Sequence, residues 1–245
     1  MLVYNKLHPR VLAFTTGRNE DLSLKDADDV VATDTIPQQL RELGWGIDGF
    51  LPLALPRQTH TSHVVWASCP GREPETDAVI TDVPGLCVCV KTADCIPVLL
   101  YDQVRNVVAS VHAGWKGTVQ YIVRNTIDMM VQHGTNPGDL IAVIAPGISM
   151  DSFEVGDEVY DRFSQSGFPM DRIARRYPSN IQGPSGNCYK WHIDLWEANR
   201  WVLEQCGVRD ISVSGIDTYT SPEYYSARRE TINTGRNFNG IMLLP

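Results

Sequence analysis

Ala93-Asp94-Cys95-Ile96-Pro97-Val98-Leu99-Leu100-Tyr101-Asp102-Gln103-Val104-Arg105-Asn106-Val107-Val108-Ala109-Ser110-Val111-His112-Ala113-Gly114-Trp115-Lys116-Gly117 decides the reading of this chain. Ile96 to Tyr101 and Asn106 to Val111 are apolar, β-rich runs, and the polar stretch Asp102 to Arg105 makes a short connection, so the segment reads as a β-hairpin. Pairing Tyr101 with Asn106 and carrying the ladder outward sets Cys95 opposite His112. Directly opposed residues share a face, with Cβ atoms about 4.5–5.5 Å apart. A thiolate and an imidazole at that separation suit either a shared divalent metal ion or a nucleophile and base pair. The plain alternative is a small core cysteine and a hydrogen-bonded structural histidine.

A metal needs a third ligand, and His60 in Arg57-Gln58-Thr59-His60-Thr61-Ser62-His63 is the nearest strong candidate upstream. Two imidazoles and one thiolate leave a tetrahedral ion one open position, the pattern of a catalytic zinc site. Water in that position is acidified toward neutrality. Gln58, two residues before His60, is placed on the same face, where its amide would reach a base or a bound water. Asp94 falls on the opposite strand face from Cys95 and is expected to orient backbone or a basic partner behind the ligands. His63 is expected to face away.

Beyond the hairpin, strands are expected at Val11 to Thr15, Val64 to Ala67, Ala78 to Thr81, Leu86 to Lys91, Ile141 to Ala145, Ile211 to Ile216 and Ile241 to Leu244. Val119, Ile122, Val123, Ile127, Met130 and Val131 form an apolar stripe that predicts a helix from Thr118 to His133, stopped by Gly134. Asp194 to Gln205 reads as a second helix, with Asp194 and Glu197 at capping-box spacing. Weaker helices fit Pro37 to Leu43 and Gly156 to Ser164, and Pro178 to Asn187 reads as an exposed loop. The mixture predicts an α/β (α+β) fold, a single compact domain over 1–245 with mixed β-sheets in a sandwich covered by helices.

With 245 residues and 43% apolar content the chain has material for a sizeable core. A net charge of -8 argues against general nucleic-acid binding. No window reaches the length of a membrane span and the N-terminus lacks the apolar run of a secretory signal, so a cytoplasmic protein is expected. Six cysteines in that setting read as thiols, and Cys87 and Cys89, two apart on one strand face, read as core packing.

Several blocks resemble the YfiH/laccase-domain family, whose members are described as multicopper polyphenol oxidases and as purine nucleoside phosphorylases. They are Arg57-Gln58-Thr59-His60, Thr76-Asp77-Ala78-Val79-Ile80-Thr81, Ala93-Asp94-Cys95-Ile96-Pro97 and His112-Ala113-Gly114-Trp115-Lys116-Gly117. Ala145-Pro146-Gly147-Ile148, Phe153-Glu154-Val155-Gly156, Tyr225-Ser226-Ala227-Arg228-Arg229 and Thr234-Gly235-Arg236 follow. The resemblance implies that His60, Cys95 and His112 bind metal. This chain departs from the family pattern at Thr61, where a glycine is usual, at Thr218-Tyr219-Thr220, where paired cysteines are common, and at Thr16 to Asp21, which replaces a glycine-rich segment.

The glycines of the turn after His112 and the helix beyond it suit an oxyanion, with Lys116 adding charge. Arg228 and Arg229 after Tyr224-Tyr225-Ser226 suit a planar base with a phosphate or ribose. Gln58, Lys116, Ser226, Arg228 and Arg229 are therefore the candidate substrate contacts.

The implied activity is zinc-dependent phosphorolysis of adenosine, inosine or methylthioadenosine, with adenosine deamination as a related reaction. Purine nucleoside and phosphate are then the small-molecule partners. Copper oxidation of phenols is a second class, since Cu2+ binds such ligands tightly, but only one convincing site is visible among six histidines. A metal-free Cys95–His112 hydrolase or deamidase is a third.

Overall fold

The computed structural model describes residues 1–4, 7–20, 51–178 and 189–245 in full, and residues 24–27 and 30–33 as backbone strands. Strands β1 (Leu2–Val3), β2 (Val11–Thr15), β3 (Leu24–Ala27), β4 (Val30–Thr33) and β5 (Leu51–Pro56) come first. They are followed by β6 (Val64–Trp66), β7 (Gly71–Glu73), β8 (Ala78–Thr81), β9 (Cys87–Thr92) and the hairpin β10 (Ile96–Asp102) and β11 (Val107–Ala113). Next are helices α1 (Trp115–Val119) and α2 (Ile122–Gln132), then β12 (Leu140–Ile144), β13 (Glu154–Val155), α3 (Asp157–Gln165) and α4 (Met170–Ile173). The chain closes with β14 (Ala174–Pro178), β15 (Tyr189–Ile193), α5 (Leu195–Gln205), β16 (Asp210–Val213) and β17 (Asn237–Leu243).

Two mixed sheets carry the fold, in the strand orders β1-β2-β17-β9-β5-β4-β3 (with β7 also on β5) and β16-β12-β10-β11-β8-β6. A small sheet, β13-β15-β14, stands beside them. Strand periodicity explains the layering. Leu99 and Tyr101 on β10, with Val108 and Val79, face Val88, Ala13 and Ile241 of the first sheet and form the core between the sheets. Val98 and Leu100, one residue out of phase, face the other way onto Ile122, Val123, Ile127 and Leu203 of the helices. Burial on both faces is why β10 reads as an unbroken apolar run. Phe14, Leu53, Leu55, Cys87 and Cys89 pack on the outer face of the first sheet. Burial pushes the Cys89 thiol up to about 12, as expected of a packing cysteine.

The hairpin is present, but its register differs by two residues from the expected one. Tyr101 pairs with Val108, and His112 with Pro97. The cause is the turn: the Asp102 carboxylate accepts from the Val104 and Arg105 N–H groups, and Asn106 takes φ 53°, so four residues close the loop. A slip of two keeps every side chain on its face, whereas a slip of one would reverse them. Strand β5 escapes the sequence reading because Pro52 and Pro56 disguise the alternating buried Leu51, Leu53 and Leu55.

The expected helix from Thr118 to His133 is two helices. Tyr121 breaks it in the left-handed conformation, φ 60°, stacking on Phe168 and donating its hydroxyl to the Ser166 carbonyl. Tertiary anchoring of one ring thus overrides helical periodicity. At α5 the Asp194 carboxylate caps the Glu197 N–H, but Glu197 pairs with Arg172 and the Asp194 N–H goes to Ile173, so the return half of the capping box is not made. The expected helix at Pro37 to Leu43 and nearly all of the loop Pro178 to Asn187 lie outside the described residues. Among the described residues no helix is long and apolar enough to cross a membrane.

Candidate metal centre

His112 is the sixth residue of β11, on the face that looks toward the first sheet, and is buried. Cys95 sits in the bend between β9 and β10 rather than on a strand, so its closeness to His112 comes from the corner and not from cross-strand pairing. The corner is held by Asp94, whose φ of 96° lies where side chains are rarely found. Its carboxylate accepts from the Thr218 hydroxyl at 2.8 Å and the Arg228 N–H at 2.7 Å, and its carbonyl accepts from Ile148 N–H. Asp94 therefore orients backbone, by a left-handed corner instead of the expected strand alternation, and it also lines the cavity that the three donors line.

His60 arrives on the loop after β5, itself in the left-handed region at φ 62°. Its Nε2 lies 3.8 Å from the Cys95 Sγ, its ring meets the His112 ring edge-on, and the donor atoms of His60, Cys95 and His112 all lie within 4.8 Å of one another. Gly114 closes the other side: a Cβ there would stand 3.0 Å from Cys95 Sγ and 3.1 Å from His60 Cδ2. A side chain at this position would press on both Cys95 and His60. A tetrahedral ion with bonds of about 2.0 Å to nitrogen and 2.3 Å to sulfur sets its ligands roughly 3.3–3.6 Å apart, within a small side-chain adjustment of this arrangement. The donor set fits a borderline-soft divalent ion.

Behind the trio lies Asp77, which the sequence reading left without a role. Its carboxylate accepts from His112 Nδ1 at 2.6 Å, from the N–H groups of Thr59, His60 and Thr61, and from the Thr61 hydroxyl. Burial would push this carboxyl up, but the bonds from His112 and Thr61 outweigh it and hold it at about 2. Burial also disfavours charge on Cys95 and His112, yet their mutual attraction prevails and draws the thiol below its usual value and the imidazole above. The threonine in place of the usual glycine is accommodated because its hydroxyl joins the Asp77 cluster.

The three donors line a cavity of about 720 Å³. Arg57, Arg72, Lys91, Arg228 and Arg236 also line it, along with Trp115, Ile148, Phe153 and Ile232. Five cationic side chains around one cavity contrast with the chain's net charge of -8, and a net count conceals such a local cluster. Arg57 and Arg236 stood in the quoted blocks without an assigned role, and Arg72 and Lys91 carried no sequence signal.

The expected substrate contacts divide. Arg228 lines the cavity, with its guanidinium donating to the Ser152 and Glu154 carbonyls. Gln58 lines it too, but off any strand, and its amide is committed to both backbone groups of Lys91. Lys116, Ser226 and Arg229 are not among the lining residues. Lys116 is exposed and lies over the Trp115 ring on a five-residue helix. Ser226 is fully buried and caps the Arg229 N–H, while the Arg229 guanidinium ties together the carbonyls of Thr218, Tyr219, Ser221 and Tyr224. These last two hold the loop that presents Arg228. His63 bonds the Glu75 carbonyl, apart from the trio.

The family described as multi-copper polyphenol oxidoreductase laccase matches residues 16–244. The chain belongs to this family. Among relatives of this laccase-family chain, a purine nucleoside phosphorylase of Bacteroides thetaiotaomicron is 40% identical over 232 residues, covering 92% of this chain and 79% of that one. Adenosine deaminase RL5, from an unknown prokaryotic organism, is 36% identical over 213 residues, covering 82% and 77%. The crystal structure of a Neisseria meningitidis protein superposes with a TM-score of 0.77 at 28% identity, covering all of this chain and 99% of the other. Bacillus licheniformis YfiH gives 0.77 at 26% identity, covering 95% and 92%. The mixed α/β fold is the YfiH-like fold of these neighbours.

Proposed function

We propose that this laccase-family chain is a metal-dependent purine nucleoside phosphorylase acting on adenosine, inosine and methylthioadenosine. The observation that carries the reading is one cavity lined by a His-Cys-His trio together with five cationic side chains. Relatives named purine nucleoside phosphorylase and adenosine deaminase support it. His60, Cys95 and His112 would hold the ion, and zinc suits two imidazoles and a thiolate with a position left open. When bound, such an ion would supply Lewis-acid polarisation.

The remaining roles follow from the lining. Arg57, Arg72 and Lys91 draw phosphate into the cavity, and Arg228, fixed by backbone carbonyls, holds one end of it. Phe153, Trp115 and Ile148 offer apolar surface to the base. Phosphate oxygen attacks C1′ of the ribose as the bond from C1′ to the base breaks, and the proton given up by the attacking phosphate hydroxyl goes to the departing base as ribose 1-phosphate forms. Desolvation in the cavity strengthens each of these contacts.

A multi-copper polyphenol oxidase needs several copper sites, and among the described residues no other trio of His, Cys, Asp or Glu comes together in this way. A metal-free Cys95–His112 nucleophile is a second reading, favoured by the Asp77 carboxylate that orients His112 as the third member of such a chain. Free thiols at Cys69, Cys87, Cys89, Cys95 and Cys206 suit a reducing compartment, and we read the protein as cytoplasmic. The near-complete overlap with the Neisseria protein supports a single domain over residues 1–245.

The test is a turnover assay on inosine and adenosine with and without phosphate, paired with elemental analysis. Phosphate-dependent base release, lost in His112→Ala and after chelation and restored by zinc, is expected. Phosphate-independent turnover, or activity untouched by chelation with rapid alkylation of Cys95 in excess zinc, would sink this reading.

A further inference from the structure

We propose that Asp77 is the positioning residue of the metal centre, a single carboxylate that sets both His60 and His112 before any ion arrives. This rests on the reading of His60, Cys95 and His112 as metal ligands. His60 and His112 are 52 positions apart and lie on unrelated elements, a loop and a strand, yet both are indexed to this one side chain. Oδ1 accepts from His112 Nδ1 and from the His60 N–H, while Oδ2 accepts from the Thr59 and Thr61 N–H groups and the Thr61 hydroxyl. The Asp77 carbonyl accepts from the His112 N–H, and its own N–H donates to the His63 carbonyl, so its backbone is pinned as well.

Two consequences follow for the ligands. With Nδ1–H committed to a carboxylate that only accepts, the His112 imidazole turns Nε2 toward Cys95 and the cavity. The loop at His60 holds a left-handed backbone in a residue other than glycine, a conformation that an L side chain disfavours. Three N–H groups of that loop, directed at one fully buried carboxylate, offset the cost. Asparagine is not a neutral replacement here. Whichever way its amide is turned, the NH2 meets either His112 Nδ1 and the His60 N–H or the Thr59 and Thr61 N–H groups.

The experiment is zinc affinity of the full chain by competition with a chromophoric chelator, in wild type, Asp77→Asn and Thr61→Val. It is paired with nitrogen-15 spectra of the zinc-loaded proteins. Asp77→Asn should weaken zinc about 10- to 100-fold. Thr61→Val, which removes one hydroxyl and leaves His112 alone, should weaken it less than about threefold. In the loaded wild type the His112 Nδ1 proton should be downfield and protected from exchange, and this needs no variant to fold. Affinity of Asp77→Asn within twofold of wild type, or a His112 Nδ1 proton in the wild type that exchanges freely, would overturn the role of Asp77. A wild type that takes up no stoichiometric zinc would instead remove the metal reading itself.

Discussion

Replacing Asp94 tests how the Cys95 corner is built. Asp94→Ala removes the acceptor of two hydrogen bonds, from the Thr218 hydroxyl and the Arg228 N–H, and leaves the corner at φ 96°. Bonds to a charged group contribute about 1.5–3 kcal/mol each, and the Thr218 hydroxyl can rotate to recover part of its share. The expected loss is therefore about 3–4 kcal/mol. Asp94→Gly loses the same bonds but relieves the backbone, so it should be about 1 kcal/mol less destabilised than the alanine variant in spite of the greater freedom of its unfolded chain. Urea unfolding of the metal-free protein, followed by tryptophan fluorescence, measures both. A loss below 1 kcal/mol for alanine, or a glycine variant no more stable than alanine, would refute the account of a strained corner held by its carboxylate.

Other expectations are more local. Gly240→Ala would put a Cβ 2.5 Å from the Phe14 ring and 3.0 Å from Cys87 Sγ, and should cost about 1–3 kcal/mol by overpacking, seen as a lower Tm. Burial raises the Asp217 carboxyl, but bonds from the Ser152 and Ser149 hydroxyls and from the Tyr219 and Ser149 N–H groups outweigh it, so its folded pKa is depressed. Its stabilisation is present above the unfolded value of about 3.9 and is lost as pH falls through the folded one. Asp217→Asn should therefore shrink the loss of Tm on acidification below about pH 4, and an unchanged acid limb would contradict this. Arg57→Ala should raise the KM for phosphate about tenfold with a smaller change in kcat, as read from initial rates.

Asp94 and Gly114, both within the resemblance blocks, lie where the chain turns and let Cys95 and His60 approach, so the His-Cys-His cluster was legible from short, unusual motifs. The wider cavity was less so. Arg72 on β7 and Lys91 on β9 reach the same cavity because β7 and β9 both pair with β5, a strand whose prolines hid it. Ser226 and Arg229 sit within a block that resembles a binding motif, yet their polar atoms close a turn, because a loop that presents Arg228 needs its own backbone groups satisfied.

Local order was written in the chain: the hairpin, the two-sided apolar strand, the α5 cap and the face on which His112 lies all follow from period-2 and period-3.6 patterns within a few residues. Tertiary structure decided the break at Tyr121 and the gathering of His60 and His112 around Asp77. Those outcomes depend on contacts between segments distant in sequence, whose energies no local pattern encodes. A few hydrogen bonds to one buried carboxylate are enough to choose among backbone conformations that differ by only about 1–2 kcal/mol.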